Sequence, residues 1–142
     1  MSFTIGREKT FLDSNILIYL LDRDELKKDK VTLLLDPKFI ISTQVVAENI
    51  NFCLKKLRFT KERAFDHANF LLSKFNVITI EKTFFPFPRA FQLASKYQFS
   101  FWDSLIVASA LQCECTQLLS EDMQHGMVIE GKLKIINPFK LS

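Results

Sequence analysis

Glycine and proline are scarce, with three and four in a chain of 142 residues. Loops that depend on their special backbone conformations must therefore be few and short, which leaves no room for linker-rich or low-complexity organisation. Cysteine occurs only at Cys53, Cys113 and Cys115. The number is odd, Cys113 and Cys115 are too close for a zinc knuckle, and no histidine pair accompanies them. Free thiols in a reducing compartment are the expectation. No apolar run reaches membrane-spanning length, and the N-terminus has no signal-type stretch, so a soluble, cytoplasmic protein without a membrane partner is expected.

Apolar residues make up 48% of the chain, an ordinary share for a globular core, and the length suits one domain over 1–142. The aromatic set is skewed, with fifteen Phe against one Trp and two Tyr, which suggests a Phe-packed core and an apolar surface kept for a partner. Net charge is only +3. The basic residues nevertheless cluster, at Lys27, Lys28 and Lys30 and again at Lys55, Lys56, Arg58, Lys61 and Arg63. Solvated helix faces and phosphate contacts both fit such clusters.

Short apolar runs alternate with helical patterns. Thr10–Leu12 reads as a buried strand ending at Asp13, followed by helical turns over Asn15–Leu21 and a helix over Asp24–Leu35 that Pro37 stops. Phe39–Ser42 is a second strand. Val46, Ile50, Cys53, Leu54 and Leu57 lie on one face of a helix over Gln44–Leu57. Thr60 is placed to cap a helix running to Phe75. Asn76–Ile80 reads as a buried strand, Pro88–Tyr97 and Ser100–Cys113 as helices, and Thr116–Ser120 and Lys134–Ile136 as the last strands. The alternation predicts β-α-β units and a three-layer α/β domain with a mostly parallel sheet. Chemistry in such folds gathers at the carboxyl ends of the strands.

Four acids fall at that edge. Asp13 ends the first strand, Glu48 lies in the helix after the second, Asp103 opens the late apolar helix, and Asp122 follows the Thr116–Ser120 strand. Converging carboxylates repel one another unless cations neutralise them. Oxygen-only clusters select hard ions such as magnesium or manganese, and ions held that way assist phosphodiester hydrolysis. Each acid also has a plainer reading. Asp13 can cap the following helix, Ser100 and Asp103 form a capping-box pattern, Glu48 can be an exposed helix residue, and Asp122 a loop acid. A phosphate-accepting receiver domain also gathers acids at strand ends, but it needs a lysine soon after a late strand, and none follows Ser120 closely.

The run Phe11-Leu12-Asp13-Ser14-Asn15-Ile16-Leu17-Ile18-Tyr19 resembles the opening motif of PIN domains. Val45-Val46-Ala47-Glu48-Asn49 occupies the place of that family's second acid, Phe101 to Ala110 resembles its third-acid helix, and Leu119 to Gly126 its last acidic motif. The resemblance covers almost the whole chain in the right order. At this length the chain looks most like the VapC-type toxins of bacterial toxin–antitoxin pairs. The resemblance implies a flavodoxin-like PIN fold, a Mg2+- or Mn2+-dependent endoribonuclease, a homodimer and a small antitoxin protein that blocks the site. It implies Asp13, Glu48, Asp103 and Asp122 as catalytic metal ligands, with Asn15 and Ser120 as polar support. Glu121 is an extra acid beside the last ligand, and His125 stays outside the catalytic set. Lys55, Lys56 and Arg58 are the candidate RNA contacts. A non-cleaving RNA-binding or regulatory module of the same fold is the alternative, and a DNA-directed nuclease is a close competitor.

Overall fold

The structure, a computed structural model, describes residues 8–79 and 87–141. Six strands form one sheet: β1 (Thr10–Leu12), β2 (Ile40–Ser42), β3 (Asn76–Ile78), β4 (Gln117–Leu119), β5 (Val128–Ile129) and β6 (Leu133–Ile136), in the order β3-β2-β1-β4-β6-β5. All neighbouring pairs are parallel except the β5–β6 hairpin. The helices are α1 (Ser14–Ile18), α2 (Glu25–Leu34), α3 (Thr43–Lys55), α4 (Lys61–Lys74), α5 (Phe87–Tyr97) and α6 (Phe101–Gln112). They flank the sheet in a three-layer α/β/α arrangement. No helix among the described residues is long and apolar enough to cross a membrane.

The helix starts follow from side-chain caps. Ser42, Thr60 and Ser100 each accept a hydrogen bond from the backbone N–H three residues on, and Asp24 accepts from Leu26 and Lys27. Each such bond satisfies a donor that the first helical turn leaves free. Strands β1, β2 and β4 are buried along their whole length, as central parallel strands covered on both faces must be. Helix α6 is buried from Ser104 through Leu111, so its apolar residues surround it rather than form a stripe.

Three expectations need correction. The strand expected over Asn76–Ile80 spans Asn76–Ile78 and is exposed or half-buried, because it is the sheet edge; Ile80 lies outside the described residues. The short strand β5 was not expected. It is held by a turn in which Glu130 and Gly131 take φ of 52° and 66° and Lys132 N–H donates to the Ile129 carbonyl, the tight hairpin geometry that needs positive φ at both central residues. The buried face of α3 is Val45, Val46, Asn49 and Cys53, rotated from the expected stripe. Val46 and Cys53 of that stripe stay buried and Ile50 packs against the core, but the rotation also buries an amide, Asn49, beside them.

Candidate active site

Strand order runs outward in both directions from the pair β1–β4, with β2 on one side and β6 on the other. The two connections leaving β1 and β4 therefore diverge, and a crevice opens at their carboxyl ends. Asp13 follows β1 there, and Ser120 to Asp122 follow β4. Helix α3 starts directly after β2 and brings Glu48. Helix α6 leads into β4, so its N-terminus, with Asp103, returns to the same edge. Asp13, Glu48, Asp103 and Asp122 all line one cleft of about 370 Å³.

Asp13 is the buried member, 4% exposed. Its backbone N–H continues the ladder to the Leu119 carbonyl at 3.0 Å. Its Oδ1 accepts from Ser14 N–H at 2.7 Å, which caps α1. Its Oδ2 accepts from the Ser120 hydroxyl at 2.9 Å and from Asn15 Nδ2 at 3.3 Å. Asn15 Oδ1 in turn accepts from Glu121 N–H at 3.1 Å, which fixes the turn after β4. The capping reading of Asp13 and its place in the cleft thus hold together, since one carboxylate oxygen caps and the other faces Ser120 and Asn15. The Ser14 hydroxyl spans two acids, donating to Glu48 Oε1 at 3.2 Å with Asp13 Oδ1 at 3.4 Å. Asp103 closes the far side. Its backbone N–H donates to the Ser100 hydroxyl at 3.1 Å, as the capping pattern predicted, while its side chain lines the cleft.

Burial raises Asp13 to about 6, against the lowering effect of the bonds from Ser120 and Ser14, and the charges of Asp103 and Asp122 push it further up. Glu48 is raised first by burial, then by the charge of Asp13. Asp103 is raised by burial and by Asp122. These carboxylates feel one another's charge, which is the electrostatic condition that a cation relieves. Among the described residues no three acidic, histidine or cysteine side chains stand close enough together to grip one ion as they are placed. The donor set still fits a hard divalent ion by chemistry: carboxylate oxygens from four separate segments, on a single cleft, with hydroxyl and amide groups behind them.

Lys55 and Lys56 line the same cleft; Arg58 does not, lying past the end of α3 with φ of 58°. Glu48, Asn51, Phe52 and Lys55 all line the cleft from α3, at helical spacing i, i+3, i+4 and i+7. That spacing was available to find Asn51 and Phe52, which the sequence reading missed. Glu121 is turned toward the Tyr19 hydroxyl, whose ionisation is suppressed first by burial and then by that bond. His125 Nδ1 accepts from Asn137 N–H at 2.9 Å, a structural bond outside the cleft.

A buried polar relay behind the site had no sequence signal. Asn49 Nδ2 donates to the Ser14 and Val45 carbonyls at 3.3 and 3.0 Å, and Asn49 Oδ1 pairs with His67 Nε2 at 3.0 Å. With its amide hydrogens used, Asn49 needs a donor, so His67 carries its proton on Nε2. Burial lowers the His67 pKa and keeps the ring neutral. Gln44 adds a second brace, with Nε2 donating to the Trp102 carbonyl at 3.3 Å between α3 and α6.

A family model described as the PIN domain matches residues 10–126. No curated protein matches the chain. Among solved structures, a toxin–antitoxin complex from Klebsiella pneumoniae superposes with a TM-score of 0.67 at 22% identity, covering 94% of this chain and 100% of that one. FitAcB from Neisseria gonorrhoeae gives 0.66 at 17% identity, over 93% of this chain and 99% of that one. VapC20 of Mycobacterium tuberculosis, described as a sarcin-ricin loop cleaving toxin, gives 0.63 at 15% identity, over 78% and 87%.

Proposed function

The chain belongs to the PIN-domain family, and from that premise we propose that it is a metal-dependent endoribonuclease, the toxin of a toxin–antitoxin pair. The observation that carries the proposal is the meeting of Asp13, Glu48, Asp103 and Asp122 on one cleft. Support for the toxin assignment comes from fold neighbours, one a toxin–antitoxin complex and one described as a sarcin-ricin loop cleaving toxin.

Asp13, Asp103 and Asp122 would hold Mg2+ or Mn2+, with Glu48 ligating a second ion or orienting the attacking water. A divalent ion in such a site neutralises phosphate charge and makes water a better nucleophile near neutral pH. The chain's own residues do the rest. Ser120 and Asn15 fix the Asp13 carboxylate, and Ser14 sets Glu48 relative to it. Lys55 and Lys56, on the cleft wall, hold the RNA backbone beside the acids. We assign an antitoxin protein and a second copy of the chain as partners, in the cytoplasm. The mutually packed rings of Phe91, Phe101 and Trp102, exposed by 58%, 37% and 61%, suit self-association.

The test is incubation of purified protein with mixed RNA and with single-stranded DNA, with Mg2+, Mn2+ or a chelator. Cleavage of RNA in the presence of either ion, abolished by chelator and by Asp13→Asn, is the expected result. Equal cleavage by Asp13→Asn or in chelator refutes the site, and preferential cleavage of DNA refutes the ribonuclease assignment.

A further inference from the structure

A second cavity, of about 380 Å³, adjoins the acidic cleft and shares two of its walls, Ile18 and Phe52. It is built from the end of the α1 region and the α3–α4 corner. Three local features shape the corner: Arg58 takes a positive φ of 58°, Phe59 N–H donates to the Cys53 carbonyl at 2.9 Å, and Thr60 caps α4 through Arg63 N–H at 3.2 Å. This turn lays the Arg63 guanidinium over the Phe59 ring, 3.9 Å from its centroid. Arg23 also lines the cavity, and its single acid, Asp22, has one carboxylate oxygen engaged by Asp24 N–H at 2.8 Å.

We infer that this cavity is a nucleobase subsite for single-stranded RNA, receiving the base of a nucleotide next to the phosphate that is cut. The inference rests on the ribonuclease reading above. Its walls supply what an unpaired base requires, flat aromatic and guanidinium faces for stacking beside apolar contacts. Its size is in the range of small-molecule pockets. Arg23 and Arg63 here, with Lys55 and Lys56 in the adjoining cleft, place cations on both cavities for a polyanion whose path runs to the carboxylates. That charge pattern and the shared walls favour RNA over a polypeptide as the occupant. The subsite would make cleavage depend on the identity of a base as well as on the phosphate.

The experiment walks a single abasic ribose through short single-stranded RNA oligomers. Binding is read by fluorescence anisotropy in chelator, and cleavage is read with Mg2+. Wild type is compared with Arg63→Gln, Phe59→Ala and Phe59→Leu, the last keeping the pocket apolar without a flat ring; thermal unfolding verifies that each folds. In wild type, one abasic position should weaken binding and cleavage about tenfold. Arg63→Gln and Phe59→Ala should lose a similar factor on intact RNA and become insensitive to that position. If these variants handle intact RNA as wild type does, or lose equally at every abasic position, the subsite is refuted and the cavity belongs to another occupant, such as a protein segment. Position-specific binding without any cleavage would keep the subsite and refute the nuclease reading. No RNA binding at low salt refutes both.

Discussion

Replacing Asp13 by Asn should make the metal-free protein more stable while it removes activity. Asp13 is almost fully buried, and burial holds its carboxyl at about 6 where an exposed one titrates at 3.8. The sign follows from linkage. Below 3.8 the group is protonated in both folded and unfolded chains and contributes nothing. As pH rises from 3.8 to about 6 the unfolded chain ionises while the folded one keeps its proton, so stability is lost across that window, and above 6 the folded state carries the disfavoured charge in full. At pH 8 the loss is roughly 3 kcal/mol. Asn retains the Ser14 cap but sets an amide where Oδ2 accepted from Ser120 and Asn15. One poorly made bond returns about 1 kcal/mol of that gain. The net of roughly 2 kcal/mol corresponds to a Tm increase of about 5 °C for a chain of this size. Thermal unfolding in chelator at pH 8 and again near pH 4 is the assay. The Asn variant should melt higher at pH 8, and the difference should vanish or slightly reverse near pH 4. A variant that melts lower than wild type at pH 8, or a difference independent of pH, refutes the argument that burial governs this carboxyl.

Two further outcomes follow from the surrounding geometry. His67→Ala leaves Asn49 Oδ1 buried without its donor, so stability should fall by about 1–3 kcal/mol in denaturant unfolding, with partial recovery in His67→Gln; an unchanged midpoint would show that the relay is not holding α3 to α4. Lys55→Ala combined with Lys56→Ala removes both lysines from the cleft wall, and the log–log salt dependence of single-stranded RNA binding should become shallower by about 1.4. An unchanged slope removes them from the RNA path.

Legibility in the sequence followed locality. Caps at Thr60 and Ser100 and the buried strands at 10–12 and 117–119 depend on neighbouring residues alone, and they could be read from side-chain type and spacing. The four acids were legible as a set because each follows a strand closely or lies in the first turns of a helix at the same sheet edge, and because their order matches the motifs that the chain resembles. What pattern could not show was long-range. Asn49 is polar by composition but buried by partners 18 and 35 residues away in sequence, so it rotated the expected face of α3. The edge exposure of β3 depends on its having no outer neighbour in the sheet among the described residues. The two-residue β5 is too short to show a period. The cavity at Phe59 and Arg63 draws its walls from two stretches distant in the chain, 18–23 and 52–63, and only the fold brings them together.

Titration of the protein with Mn2+ near neutral pH, followed by calorimetry, probes the carboxylate cleft most directly. Wild type should bind the ion saturably, with affinity that weakens as pH falls through about 6, where Asp13 takes up its proton, and Asp13→Asn should lose most of that binding. Equal Mn2+ binding by Asp13→Asn and wild type, or no binding by wild type at millimolar Mn2+, would contradict the assignment of this cleft as a metal-dependent nuclease centre.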